Sequence, residues 1–272
     1  MIRTIFLATP DIAVKTLQAL IDDKDTEVLG VITMPDRPAG RGCCLKKPPV
    51  KVCAEENGIK VFQTPSVSKD AELMAMLKEM KPDFFVTFAF GQLLSQEFLD
   101  IPNFCTVNIH ASLLPKYRGA NPIQQAVING DEETGITTMR TVKKMDAGDI
   151  CLCDRIKITE NMSVPDVVEQ ISEKAPSLLI KTLKEIYDGK LEFIPQNEEE
   201  VTYAEKILPE EEHLPLNLSA LETVNYIRGL SNEPGAYLYL NDKKLKIYSA
   251  SLFNEEILHE VGEVVQNKKR LL

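Results

Sequence analysis

Three polar residues in this chain have the types and spacing for acyl chemistry. Asn108 and His110 stand one residue apart at the end of an apolar run, Cys105-Thr106-Val107. Alternate residues of an extended strand share a face, so the amide and the imidazole point the same way. Pro115 and Gly119 then break regular structure, which puts the pair where a strand opens into a loop. Ligands of open α/β sheets bind at such strand ends. An amide and an imidazole aimed together can polarise a carbonyl and hold the oxyanion that forms on it. The tight turn Met145-Asp146-Ala147-Gly148-Asp149 supplies an acid. A carboxylate near an imidazole favours its charged form and fixes its orientation. Each group also has a plain structural use: the pair in satisfying loop backbone, Asp146 in bonding its own turn. The sequence does not bring Asp146 to His110.

Two further segments carry recognition chemistry. Pro35 through Gly42 holds two prolines, two glycines and the arginines Arg37 and Arg41. So many breakers predict a loop that is neither helix nor strand, and arginines on a loop suit phosphate. With Lys46, Lys47 and Lys51 against Asp36, residues 36–51 carry a local excess of four positive charges. Phe88-Ala89-Phe90-Gly91-Gln92-Leu93-Leu94 closes an apolar run with an aromatic and a glycine. This is either core plus turn, or a slot whose backbone reads a flat heterocycle, with Gly91 permitting close approach.

The elements that must position these groups follow from periodicity. Ile2–Leu7, Val28–Thr33, Ile59–Phe62 and Asp83–Ala89 read as buried strands. Thr9-Pro10 reads as the N-cap and first residue of a helix with a core face of Val14, Leu17, Leu20 and Ile21. Helices are predicted at Pro48–Asn57, stopped by Gly58, and at 69–80, 122–129 and 164–188. Thr134–Val142 and Asp149–Ile158 read as strands joined by the loop 143–148. Strands alternating with helices predict an α/β fold with a mainly parallel sheet covered on both faces. Residues 190–206, with Pro195 and Glu198-Glu199-Glu200, read as an acidic linker. Beyond them come a helix around Ala220–Leu230, strands at Ala236–Leu240 and Leu245–Ala250 about an Asn241-Asp242 turn, and a strand-like Gly262–Val265.

Composition excludes several classes. Net charge is −10, which argues against a general nucleic-acid-binding surface and leaves only the local basic patch. The six cysteines lack zinc-ribbon or thioredoxin spacing, and with three histidines no metal site is expected. Nothing approaches a membrane span, and the start is too short an apolar run for a signal peptide, so the expected compartment is the cytoplasm. The first strand-to-helix turn, Leu7-Ala8-Thr9-Pro10-Asp11, lacks the glycine fingerprint of a dinucleotide site.

Taken together these segments resemble the 10-formyltetrahydrofolate-dependent formyltransferases. The matching text is Ala8-Thr9-Pro10-Asp11, Pro35 through Gly42, Pro49-Val50-Lys51, Phe90-Gly91, Asn108 through Pro115, Arg118-Gly119-Ala120, Pro122-Ile123-Gln124, Met145 through Asp149, Ile227-Arg228-Gly229 and Pro234-Gly235-Ala236. Asn-x-His with a distal Asp marks the family. The Pro-Asp-Arg-Pro-Ala-Gly-Arg-Gly loop points within it to members that formylate initiator methionyl-tRNA. The resemblance implies a Rossmann-like catalytic domain at 1–189, a linker at 190–206, and a small, incomplete OB-like β-barrel at 207–272 that supports the tRNA. It implies Asn108, His110 and Asp146 as the catalytic set. Phe88, Phe90, Gly91, Gln92, Leu93, Leu94, Ser112, Leu113, Leu114 and Pro115, with the loop 139–146, would hold the folate. Arg37, Arg41, Lys46 and Lys47 would reach the tRNA. It implies 10-formyltetrahydrofolate as a consumed co-substrate, no permanently bound cofactor, no metal and a monomer. The alternatives are a formyltransferase acting on an amino sugar nucleotide, or a folate- or RNA-binding relative without catalysis.

Overall fold

The computed structural model describes residues 1–39, 44–252, 263, 266–267 and 270–271. Arg41 lies outside the described residues, as does the predicted strand at 262–265 apart from Glu263. In chain order the first unit runs β1 (Ile2–Ala8), α1 (Val14–Asp22), β2 (Thr26–Thr33), β3 (Arg37–Ala39), β4 (Cys44–Lys46), α2 (Pro49–Glu56), β5 (Val61–Gln63), α3 (Ala71–Met80) and β6 (Phe84–Phe88). It continues α4 (Gln96–Leu99), β7 (Cys105–His110), β8 (Arg118–Gly119), α5 (Pro122–Ile128), β9 (Glu133–Arg140), β10 (Ile150–Lys157) and α6 (Val164–Tyr187). After it come β11 (Tyr203–Ala204), α7 (Ala220–Gly229) and the hairpin β12 (Ala236–Leu240) with β13 (Lys243–Ile247).

Seven strands make one sheet in the order β10-β9-β7-β6-β1-β2-β5. Pairing is parallel from β7 to β5 and antiparallel at β7–β9 and β9–β10. Alternation sorts the strand residues onto two faces. Phe6, Phe84, Val86, Phe88 and Val107 pack under α1 and the long α6. Ile5, Leu7, Ile32 and Phe85 face the other way, under Leu73, Met74 and Leu77 of α3 and Phe98 of α4. That second core contains no residue of β7 or β9. There loops, not helices, cover the sheet, which is the opening the site occupies.

Two local expectations need correction. Thr9 does not cap α1. A 3₁₀ turn at Asp11–Ala13 intervenes, the helix starts four residues beyond reach, and the Thr9 hydroxyl accepts the Met34 amide at 3.3 Å. A missing cap costs about 1 kcal/mol, and burying Leu17 and Leu20 is worth about 1.5–3 kcal/mol each, so packing decides. The Pro35–Gly42 segment also contains strand: Arg37, Pro38 and Ala39 pair with Lys46, Leu45 and Cys44. A two-stranded ribbon has outer edges that need no N–H, so Pro38 is tolerated.

The second unit docks through α7. Arg228 donates from Nη1 to the carbonyls of Thr159 and Met162 at 2.9 and 2.8 Å. Gly229 packs so closely on Ile128 of α5 that a side chain there would overlap it. Asn241 and Asp242, with φ of 47° and 60°, make the turn of the β12–β13 hairpin, as the Asn-Asp pair predicts.

Candidate active site

β7 delivers Asn108 and His110 to the loop-covered face beside Thr106, while Val107 and Ile109 fill the α1/α6 core. His110 is 5% exposed. Its Nε2 lies 2.8 Å from the backbone oxygen of Tyr117. A carbonyl only accepts, so Nε2 carries the proton. Nδ1 is the nitrogen left for chemistry, and it faces Asp146 Oδ2 at 3.7 Å. Asp146 holds a left-handed backbone, φ 50°, and its Oδ2 accepts the Gly119 amide at 2.9 Å. Asn108 is oriented by Thr87, whose hydroxyl donates to Oδ1 at 2.8 Å. Its Nδ2 has no protein partner among the described residues. The result is an open amide donor on the same strand face as an imidazole backed by a carboxylate. That set can stabilise an oxyanion and move one proton.

The covering loops are pinned to the sheet. Thr137, cross-strand from His110, donates its hydroxyl to Ser112 O at 2.7 Å and accepts the Leu114 amide at 3.1 Å. Ser112 donates to Lys116 O at 2.6 Å. Leu113 lies against Gly135, where a Cβ would collide with it. Tyr117, which supplies the His110 carbonyl, has φ 61° and donates its hydroxyl to Asp131 at 2.6 Å. Burial, then the Asp131 bond, pushes that phenol up to about 12.

Within segment 190–206, expected as a linker, residues 194–204 pack beside Asp146 and Arg118. Ile194 exchanges backbone hydrogen bonds with Ile150 at 2.8 and 2.9 Å, and β11 pairs in parallel with β8. Gln196 and Glu198 reach Arg118 and the Asp146 loop. No role was read from the sequence for Tyr117, Arg118, Gln196 or Glu198. Arg118-Gly119 stood in the matching text. Gln196, beside Pro195 in an acidic stretch, gave no signal at all.

The candidate folate residues are scattered. Phe88 points to the α1/α6 core, away from Asn108, and Phe90 packs in the second core beside a cleft that it lines with Ala89 and Gly91. Gln92 is a staple: Oε1 accepts the Val67 amide at 2.8 Å and Nε2 donates to Thr64 O at 2.9 Å. Gly91 (φ 75°) has open space where a Cβ would project, Leu93 is 80% exposed and Leu94 packs on the second core. Ser112 and Leu114 are buried, and Leu113 and Pro115 are half-buried. Of the loop 139–146, Arg140, Thr141 and Val142 line a cleft of about 410 Å³ with Gln96, Leu99, Phe104 and Thr106. Thr106 and Thr141 are cross-strand neighbours there, and both hydroxyls are buried without a protein partner. Thr106 precedes Asn108 on one strand face, about 7 Å away.

A second cleft, of about 480 Å³, lies at the carboxyl ends of β1, β2 and β6 between Thr9, Met34, Ala89, Phe90 and Gly91 and the cations Arg37, Lys46 and Lys47. Its charge is smaller than the sequence count. Lys51 is committed to Asp36 and Gln63, and Lys47 sits 2.6 Å from Glu55. The Gln63 bond first, and Lys51 next, hold the Asp36 carboxyl below its usual range. Among the described residues no group of three His, Cys, Asp or Glu is placed to hold a metal, and no helix is long and apolar enough to cross a membrane.

Residues 2–183 match the sequence model of the formyl transferase family, and 206–272 match its C-terminal domain. The chain belongs to the formyl transferase family. This formyltransferase is 42% identical over 272 residues to the methionyl-tRNA formyltransferase of Staphylococcus aureus (strain Newman), spanning all of this chain and 86% of that one. It is 39% identical over 264 residues to that of Sulfurihydrogenibium sp. (strain YO3AOP1), spanning 97% and 85%. Among solved structures, the N-formyltransferase of Helicobacter canadensis, in complex with folinic acid and dTDP-3-aminofucose, matches with a TM-score of 0.74 at 21% identity, over 100% of this chain and 94% of that one. At that identity the likeness shows the formyltransferase fold alone.

Proposed function

We propose that this formyltransferase moves the formyl group of 10-formyltetrahydrofolate to the α-amine of initiator methionyl-tRNA. The observation that carries the acceptor is the likeness, at 42% identity over the whole chain, to enzymes named for that reaction. The amine attacks the formyl carbon. Asn108 Nδ2, and the Nδ1–H of His110 in its protonated form with Asp146 beside it, take up the charge that develops on the formyl oxygen. An amine proton passes through the His110–Asp146 pair to the folate N10 as the N10–carbon bond breaks. Tetrahydrofolate leaves, so the folate is a co-substrate and not a resident group. The orphan hydroxyls of Thr106 and Thr141 suit the polar edge of a pterin in the cleft behind Asn108, and Arg37, Lys46 and Lys47 suit the phosphates of the tRNA end. Residues 1–189 carry the reaction and 207–272 support the tRNA. The protein works as a monomer in the cytoplasm, where charged tRNA and reduced folate occur together.

Formyl-methionine is measured after incubation with 10-formyltetrahydrofolate and charged initiator tRNA. Turnover is expected there and not with a dTDP-linked amino sugar; the reverse preference would overturn the acceptor. His110→Ala is expected to abolish turnover with the fold intact.

A further inference from the structure

Arg118 is the largest fully buried side chain among the described residues, 1% exposed. Its Nε donates to Gln196 Oε1 at 3.0 Å, and Nη2 donates to Glu198 Oε1 at 2.8 Å. Because Gln196 Oε1 is taken by the guanidinium, the orientation of the amide is fixed. Its two N–H groups point at the Asp146 loop and donate to Asp146 O at 2.8 Å and Gly148 O at 2.7 Å. Glu198 holds the same loop once more, through Lys144 at 3.0 Å. The residue after Arg118, Gly119, gives its amide to the Asp146 carboxylate. The Arg118–Gly119 pair therefore holds both parts of Asp146: the buried cation its backbone, through Gln196, and the Gly119 amide its side chain.

Stability alone is a poor reason for this arrangement. A buried guanidinium is costly to desolvate, and an apolar residue of similar volume often stabilises as well or better. Here the cost is larger still: among the described residues Nη1 is buried without a partner, and the one carboxylate on Arg118, Glu198, is 59% exposed on its side chain. What the network does supply is a fixed position for Asp146, in a left-handed conformation that an aspartate alone holds weakly.

Resting on the reading of Asp146 as a member of the catalytic set, we propose that Arg118 and Gln196 are positioning residues that set the distance between Asp146 and His110. The segment expected as a linker thereby becomes part of the catalytic apparatus without touching substrate.

Gln196→Glu separates this from a tethering role. A carboxylate keeps, and strengthens, the contact to Arg118, but it has no hydrogen to give to the carbonyls of Asp146 and Gly148. Gln196→Met, similar in shape and uncharged, removes both contacts. kcat and KM for both substrates are measured for the two variants and for Asp146→Asn, alongside the unfolding midpoint. Both Gln196 variants are expected to lose about 10- to 100-fold in kcat, the scale of an ångström's misplacement, with each KM within about threefold of the parent. Asp146→Asn is expected to lose more. Gln196→Glu retaining parental kcat while Asp146→Asn is inactive would overturn the positioning role and leave Asp146 standing. Asp146→Asn with parental kcat would overturn the catalytic reading itself. Loss of native structure in both Gln196 variants would make the contact a structural one and overturn the proposal.

Discussion

The side chain of Asn108 can turn by exchanging its oxygen and nitrogen, and only one of the two orientations serves an oxyanion. In the orientation observed, Thr87, its parallel neighbour on β6, donates to Oδ1 and leaves Nδ2 open. Thr87→Val keeps the shape and removes the donor. A neutral hydrogen bond is worth about 0.5–1.5 kcal/mol net, so kcat is expected to fall about 2- to 12-fold with KM for the folate unchanged. An unchanged kcat in steady-state assays would mean that the amide is held by something else. Tyr117 does the corresponding work for His110 through its carbonyl, and its phenol makes a pH prediction. Burial and then Asp131 raise it from 10 to about 12. Its pKa is raised on folding, so the stabilisation is complete below pH 10 and is lost as pH climbs from 10 towards 12. Denaturant unfolding of the parent against Tyr117→Phe should show the parent losing stability relative to the variant across that window, and not below it. A constant difference between pH 8 and 11.5 would show that the phenol ionises alike in both states.

At the scale of elements, the turn from β9 to β10 carries the acid and is the most constrained piece of backbone near the site. A Cβ on Gly148 would run into the Arg140 carbonyl oxygen. Gly148→Ala is expected to cost about 1–3 kcal/mol, as overpacking does, which lowers the melting temperature by a few degrees in a chain of this size. Because Asp146 moves with the turn, kcat should fall by more than the loss of stability explains. An assay well below the new midpoint that returned parental kcat would contradict this. These elements also show what a sequence can tell. The sheet and its helices were legible because packing imposes periods of 2 and 3.6. The shared face of Asn108 and His110 was legible for the same reason. Phe88 obeys the same rule to the opposite effect: it pairs with Ile109 and so shares the buried face. That consequence depends on register, which the local pattern does not contain. Asp146 reaches His110 by loop closure, and no local rule encodes that distance. Residues 194–204 join the wall through one isolated bridge and one two-residue ladder. Such contacts are too short to leave a period, so the acidic composition read as a linker.

For the whole molecule, the difficulty is that a chain of net charge −10 must hold a polyanion. Two of the five cations counted at 36–51 are engaged with carboxylates, so few positive charges are left at the cleft for phosphate. When each contact is weak, affinity depends on several being made together, and a rigid link between them raises the effective concentration of the second. The docking of α7 provides that link. Arg228 spans the junction with Nε on Asn225 Oδ1 at 2.9 Å and Nη1 on the Thr159 and Met162 carbonyls. Arg228→Ala should therefore loosen the second unit without disturbing Asn108, His110 or Asp146, which all lie in the first. The expected result is a KM for methionyl-tRNA raised about 5- to 30-fold, the equivalent of about 1–2 kcal/mol, with kcat and the KM for 10-formyltetrahydrofolate close to those of the parent. A fall in kcat at unchanged tRNA KM would mean instead that the second unit acts by supporting the catalytic loops. It could do so through α5, against which Gly229 of α7 packs, or through the 194–204 segment on the site's wall.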